Sequence, residues 1–132
     1  YVLMDAPAGL GGGFRMSVCG ADRALVVSTT DASALRDAQR TVGELSRSIR
    51  SLHLVVNRVQ PKLLRQLRTT IDDAMDAAGL PLLGVVPEDP QVMLAANRGQ
   101  PLILMARYGA ARAYLNIARR LTGERVPLMR IR

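Results

Sequence analysis

Four short apolar runs, each broken by polar or turn-forming residues, set the rhythm of the chain: Tyr1-Val2-Leu3-Met4, Ala24-Leu25-Val26-Val27-Ser28-Thr29, Leu52-His53-Leu54-Val55-Val56-Asn57 and Pro81-Leu82-Leu83-Gly84-Val85-Val86. They are too short for helices, rich in β-branched residues and apolar at consecutive positions, the pattern of strands covered on both faces. Between them, apolar positions recur with helical spacing. Leu35, Ala38, Val42 and Leu45 form the stripe of a helix predicted over 32–50, preceded by Thr29-Thr30-Asp31, whose oxygens can cap it. A second helix is predicted from Thr70 to Ala78, with Asp72 and Asp73 in its first turn and Gly79 as its stop. Pro90 to Asn97 reads as a third, and Leu102-Ile103-Leu104 as a short strand or extended edge. The last helix, Tyr108 to Leu121, places Ala111, Leu115, Ala118 and Leu121 on one face and turns Arg112, Arg119 and Arg120 mostly outward. Strands alternating with helices call for parallel pairing and crossovers. The expected class is α/β, part of a doubly wound, mostly parallel sheet flanked by helices.

Length and composition refine this picture. With 132 residues, 48% of them hydrophobic, the chain can bury one real core. Yet the first residue is not methionine and already lies in an apolar run. A doubly wound sheet cut at such a point exposes a strand edge, which favours aggregation or swapping. The expectation is therefore one partial domain, 1–132, the C-terminal portion of a protein longer by on the order of one hundred residues. The formal charge of +7 arises from 18 Lys and Arg against 11 acids. The arginines are spread along the helices, as in Arg36, Arg40, Arg47 and Arg50, and aromatics make up only 3% of the chain. This fits solvated helix faces and argues against nucleic acid as a partner.

Several chemistries are excluded. No apolar stretch approaches the roughly 20 residues needed to cross a bilayer. Cys19, the lone cysteine, rules out an internal disulfide or a multi-cysteine metal site, and reads as a small core-filling residue in a reducing cytoplasm. His53 sits inside an apolar strand as a core histidine, and no serine has the context of a nucleophile elbow. A hydrolase triad and a conventional structural zinc site are therefore set aside.

Three strand ends carry the candidate chemistry. The first run delivers Asp5 to Ala6-Pro7-Ala8-Gly9-Leu10-Gly11-Gly12-Gly13. A carboxylate at the carboxyl end of a parallel strand, beside glycines, can hold the water shell of a magnesium ion, and the glycines allow the segment to respond to a γ-phosphate. A glycine-rich turn with no ligand fits the same residues. Asn57-Arg58 ends the third run, where an amide can read a purine edge and a guanidinium can stack on it or pair with phosphate; a plain turn also suits them. Pro87-Glu88-Asp89-Pro90 ends the fourth, with Glu88 and Asp89 equally able to cap the following helix. All three fall on the sheet edge where open α/β folds bind ligands. No Gly-x-x-x-x-Gly-Lys-Ser/Thr phosphate loop occurs, and the single lysine, Lys62, has no glycine frame.

The segments Val2-Leu3-Met4-Asp5-Ala6-Pro7-Ala8-Gly9-Leu10-Gly11 and Ala21-Asp22-Arg23-Ala24-Leu25-Val26-Val27-Ser28-Thr29-Thr30 together resemble the deviant Walker ATPases of the MinD/ParA superfamily. Val56-Asn57-Arg58-Val59, Gly84-Val85-Val86-Pro87-Glu88-Asp89, Ala96-Asn97-Arg98-Gly99-Gln100-Pro101 and Gly123-Glu124-Arg125-Val126-Pro127-Leu128 narrow the resemblance to the MinD-like septum-site family. It implies a P-loop NTPase fold in which Asp5 is the second Walker acid and catalytic residue, orienting magnesium through water. It also implies that Pro7, Ala8, Gly9 and Gly11 belong to the second switch, and that Asn57 faces adenine with Arg58, Pro87, Glu88 and Asp89 helping to enclose the base. In such a family ATP and Mg2+ join two subunits into a homodimer. That dimer acts at the inner face of the cell membrane with division-inhibitor and activator proteins until ATP is hydrolysed. The chain departs from the pattern in lacking the lysine-bearing phosphate loop, the first switch and a terminal amphipathic helix, and in carrying Asp31 where relatives often have proline. By itself it is expected to be inactive. The alternatives are a ParA-like partition or flagellar-placement ATPase and a truncated, non-enzymatic interaction module.

Overall fold

The computed structural model describes residues 1–7, 9–129 and 131. A parallel sheet of order β1-β2-β3 is built from β1 (Arg23–Ser28), β2 (Ser51–Val59) and β3 (Leu82–Pro87). Seven helices accompany it among the described residues: α1 (Gly12–Cys19), α2 (Ala32–Leu45), α3 (Pro61–Leu67), α4 (Ile71–Ala78), α5 (Pro90–Asn97), α6 (Leu102–Met105) and α7 (Gly109–Leu121). The α/β class and parallel pairing expected from the sequence are what the chain adopts.

Alternation along the strands explains the two faces. Leu54 and Val56 of β2 join Val26, Ala38, Leu45, Ala74 and Ala78 beneath α2 and α4, while Val55 between them turns to Ala110, Ala113 and Ile117 of α7. Phe14 pins α1 into the first of these cores. The helix limits follow from local chemistry. Asp31 accepts from the Ala34 N–H at 2.9 Å to start α2. Thr70 and Asp73 exchange side-chain-to-backbone bonds of 3.1 and 2.7 Å in a capping box at α4, which Gly79 ends in the left-handed region at φ 67°.

Beyond the sheet, several expectations are corrected. The opening run is not a strand: Tyr1, Val2 and Leu3 are exposed extended chain. An isolated extended segment gains nothing from apolar residues until a neighbour supplies ladder hydrogen bonds, and none of the described residues does. Gly12 and Gly13, expected in a mobile stretch, open α1, because burying Phe14 outweighs the poor helix propensity of glycine. The helix predicted to Arg50 ends at Leu45. Leu102-Ile103-Leu104 is a helical turn rather than a strand, following Pro101 at its N-cap. Pro61 starts α3, which the sequence reading did not anticipate. The buried face of α7 is Ala110, Ala111, Ala113, Asn116 and Ile117, leaving Leu115 42% exposed, and Arg120 turns back toward the sheet. Cys19 is exposed at the end of α1, not in the core, and His53 is half-buried.

Candidate functional site

The carboxyl ends of β2 and β3 meet through an irregularity in their ladder. Val56 pairs with Val85 and Val59 with Pro87, so Asn57 and Arg58 together oppose Val86 alone. The extra residue is a bulge, and Arg58 sits in it at φ 54°, a left-handed conformation uncommon for side-chain-bearing residues. Two bonds hold the place. The Arg58 N–H donates to Asn57 Oδ1 at 2.9 Å, and the Glu88 N–H donates to the Val59 carbonyl at 3.0 Å, continuing the pairing past β3.

Across this edge Arg58 Nε donates to Glu88 Oε2 at 2.8 Å. That hydrogen bond, with the Glu88 charge behind it, raises the pKa of an already cationic guanidinium. Both side chains are solvent-facing, 67% and 38% exposed, so water and salt screen the pair and it cannot by itself fix the turn. Asp89 is the stronger anchor. Its Oδ1 accepts from the Gln91 N–H at 2.9 Å and caps α5, while its Oδ2 accepts from the Ala110 N–H at 3.0 Å at the start of α7. One carboxylate thus meets the positive ends of two helices, and a single such cap contributes about 0.5–2 kcal/mol.

The sequence-predicted residues are therefore partly assembled. Asn57, Arg58, Pro87, Glu88 and Asp89 converge, as expected from their strand ends. Asp89, though, spends both oxygens on backbone amides, and its contact with Ala110 spans 21 positions. The role of Gly109 and Ala110 had no signal in the local sequence. Asp5 lies in exposed coil, and no hydrogen bond among the described residues engages its carboxylate. Pro7 packs toward α1, its Cγ 2.8 Å from where a Cβ on Gly13 would stand. Gly9 adopts φ 86°, Gly11 is the N-cap of α1, and Ala8 lies outside the described residues.

Together Asn57, Arg58, Pro87 and Glu88 offer an amide, a guanidinium, a proline ring and a carboxylate at one edge of the sheet. The Asn57 amide nitrogen is engaged by no hydrogen bond among the described residues, so it can donate to a purine edge. Among the described residues no group of three metal-ligating side chains occurs, and Asp5 alone suits contact with a metal only through water.

No family model matches the chain. It is 43% identical to the septum site-determining protein MinD of Bacillus subtilis over 131 residues, covering 97% of this chain and 49% of that protein. Among solved structures, the MinC:MinD cell division protein complex of Aquifex aeolicus is similar at TM-score 0.88 and 36% identity, over 96% of this chain and 52% of that one. The MinD of Pyrococcus horikoshii, complexed with Mg-ADP, is similar at TM-score 0.78 and 25% identity, over 89% and 48%. The chain spans about half the length of the curated relatives it matches. Along nearly its whole length, then, the chain is similar to about half of the septum site-determining MinD proteins.

Proposed function

We propose that this chain is the C-terminal portion of a MinD-like ATPase domain, and that the complete protein binds and hydrolyses ATP as a dimer at the membrane to position the division septum. The observation that carries the reading is the joined edge at the ends of β2 and β3, where the Glu88 N–H bond to the Val59 carbonyl at 3.0 Å brings Pro87-Glu88 beside Asn57-Arg58 and the 2.8 Å ion pair crosses the gap, in a chain so similar to half of MinD. Asn57 would read adenine, with Arg58 and the Pro87-Glu88 turn walling the base. Asp5 would orient magnesium through water, and the segment from Pro7 to Gly13 would respond to the nucleotide. Bound Mg-ATP brings the phosphoric anhydride whose cleavage the family performs. These 132 residues hold no lysine-bearing phosphate loop, so of the phosphate end they would supply only the Asp5 and Pro7 to Gly13 contacts. Partners of the Min-system kind are supported by the similarity to a chain from a MinC:MinD complex.

The test compares two proteins. The 132-residue chain alone should show no steady ATP turnover, because backbone amides of a phosphate loop normally stabilise the anion. The complete protein should hydrolyse ATP faster with anionic vesicles than with DNA. Turnover by the short chain, or stimulation by DNA alone, would defeat the proposal. A non-enzymatic interaction module is the second reading. It requires that the complete protein bind no ATP.

A further inference from the structure

We propose that Asp89 is a positioning residue for base recognition: by tying the first turns of α5 and α7 together it fixes the Pro87-Glu88 turn against Arg58, without touching the nucleotide itself. The inference rests on the reading of this edge as a nucleotide site. Three observations carry it. Both Asp89 oxygens are occupied by backbone N–H groups, Gln91 at 2.9 Å and Ala110 at 3.0 Å, so the carboxylate is turned inward to the helices. Gly109 stands at φ 59°, and a Cβ there would overlap Asp89 Oδ2, so the start of α7 is shaped to receive this carboxylate. Glu88, the next residue, holds Arg58 only through a solvent-exposed pair. A left-handed arginine at a bulge stores backbone strain, and the part-buried Asp89 bridge, one residue past Glu88, steadies the turn that faces it.

The geometry also explains why the bridge bears on specificity. The turn is anchored to β2 by the Glu88 N–H and to the helices by Asp89 one residue later. Loosening the second anchor leaves the wall of the base site free to swing while the strands remain paired. Affinity and base discrimination should therefore fall together, with the fold intact.

The experiment uses the complete protein, titrated with Mg-ATP and Mg-GTP. Asp89→Asn keeps the shape but offers one carbonyl oxygen to two N–H donors, and Gly109→Ala obstructs the carboxylate. Each should raise the Kd for ATP about five- to tenfold and shrink the ratio of GTP to ATP Kd values, because the loosened turn must be re-ordered when the base binds. Asp31→Ala removes a comparable cap at α2, away from this edge, and should leave both affinities unchanged. An unchanged Kd and ratio in folded Asp89→Asn and Gly109→Ala proteins would overturn the inference while leaving the nucleotide site standing. Failure of the unsubstituted protein to bind either nucleotide would overturn both. In case neither variant folds, hydrogen exchange of the unsubstituted protein decides: the Ala110 and Glu88 amides should be protected together, and fast exchange at Ala110 would refute the bridge.

Discussion

Asp31 and Asp89 are both aspartates at helix starts, yet their surroundings give them different properties. Asp31 is exposed and accepts from three donors: the Ser33 hydroxyl at 2.6 Å, the Thr29 hydroxyl, and the Ala34 N–H at 2.9 Å. Those bonds, the Ser33 hydroxyl foremost, favour the charged form and hold its pKa far below the usual carboxylate range. A carboxyl with a lower pKa in the fold than in the unfolded chain contributes stability that is complete above the unfolded value, near about 4, and is lost as pH falls through the folded value. Solvent exposure limits the size of the effect. Asp31→Ala should cost about 0.5–1 kcal/mol at pH 7, and urea unfolding should show the gap to the unsubstituted protein narrowing steadily as pH falls below about 4. A gap that is constant from pH 7 to pH 2 would show that the charge plays no part. This cap was legible from Thr29-Thr30-Asp31 because capping is local; the Asp89 bridge was only half legible, since its second partner is 21 positions away.

At the scale of elements, α7 against β3 shows how a helix is seated on a strand. Gly84 leaves room for it: a Cβ there would overlap Ile117 Cγ1. Gly84→Ala should therefore destabilise by about 1–3 kcal/mol through overpacking, and combining it with Ile117→Ala, which removes the overlapped Cγ1, should cost less in thermal or urea unfolding than the sum of the two single losses. Additive losses would mean the two sites do not touch. At the far end of the helix Arg120 reaches the carbonyl of Leu83 at 2.8 Å, of Val126 at 2.8 Å and of Pro127 at 2.5 Å. Leu83 is the extra residue in the other irregularity of the β2–β3 ladder, where Leu54 pairs with Leu82 and Val55 with Gly84. The guanidinium thus serves a carbonyl at a disrupted point of the ladder and pins the following tail, and burial lowers its pKa without discharging it. Arg120→Lys should fail to rescue, because one ammonium cannot span the fork: exchange over 122–129 should rise in both Arg120→Lys and Arg120→Met. Periodicity gave the existence and length of α7, but not its rotation. A run such as Ala110-Ala111-Arg112-Ala113 offers apolar positions on several sides, and only the close approach at Gly84 decides which face goes inward.

The whole molecule is a three-stranded sheet covered on both sides, with its weak place at the β1 edge. Among the described residues nothing pairs with the outer side of β1, Val27 is 60% exposed, and Tyr1, Val2 and Leu3 stand 96%, 87% and 87% exposed. The composition of the opening run suits a buried strand, but pleated structure needs a neighbour, and composition cannot provide one. The open edge forecasts the behaviour of the isolated chain. An open parallel edge and a loose apolar segment can satisfy each other between copies, and the +7 charge opposes this only at low ionic strength. Sedimentation at tens of micromolar should give a mean mass above 14.3 kDa that grows with salt, while Val27→Lys, which places a charge on the edge, should move the population toward monomer. A monomer at every salt and concentration would show that the edge is already satisfied, and Val27→Lys would then change nothing.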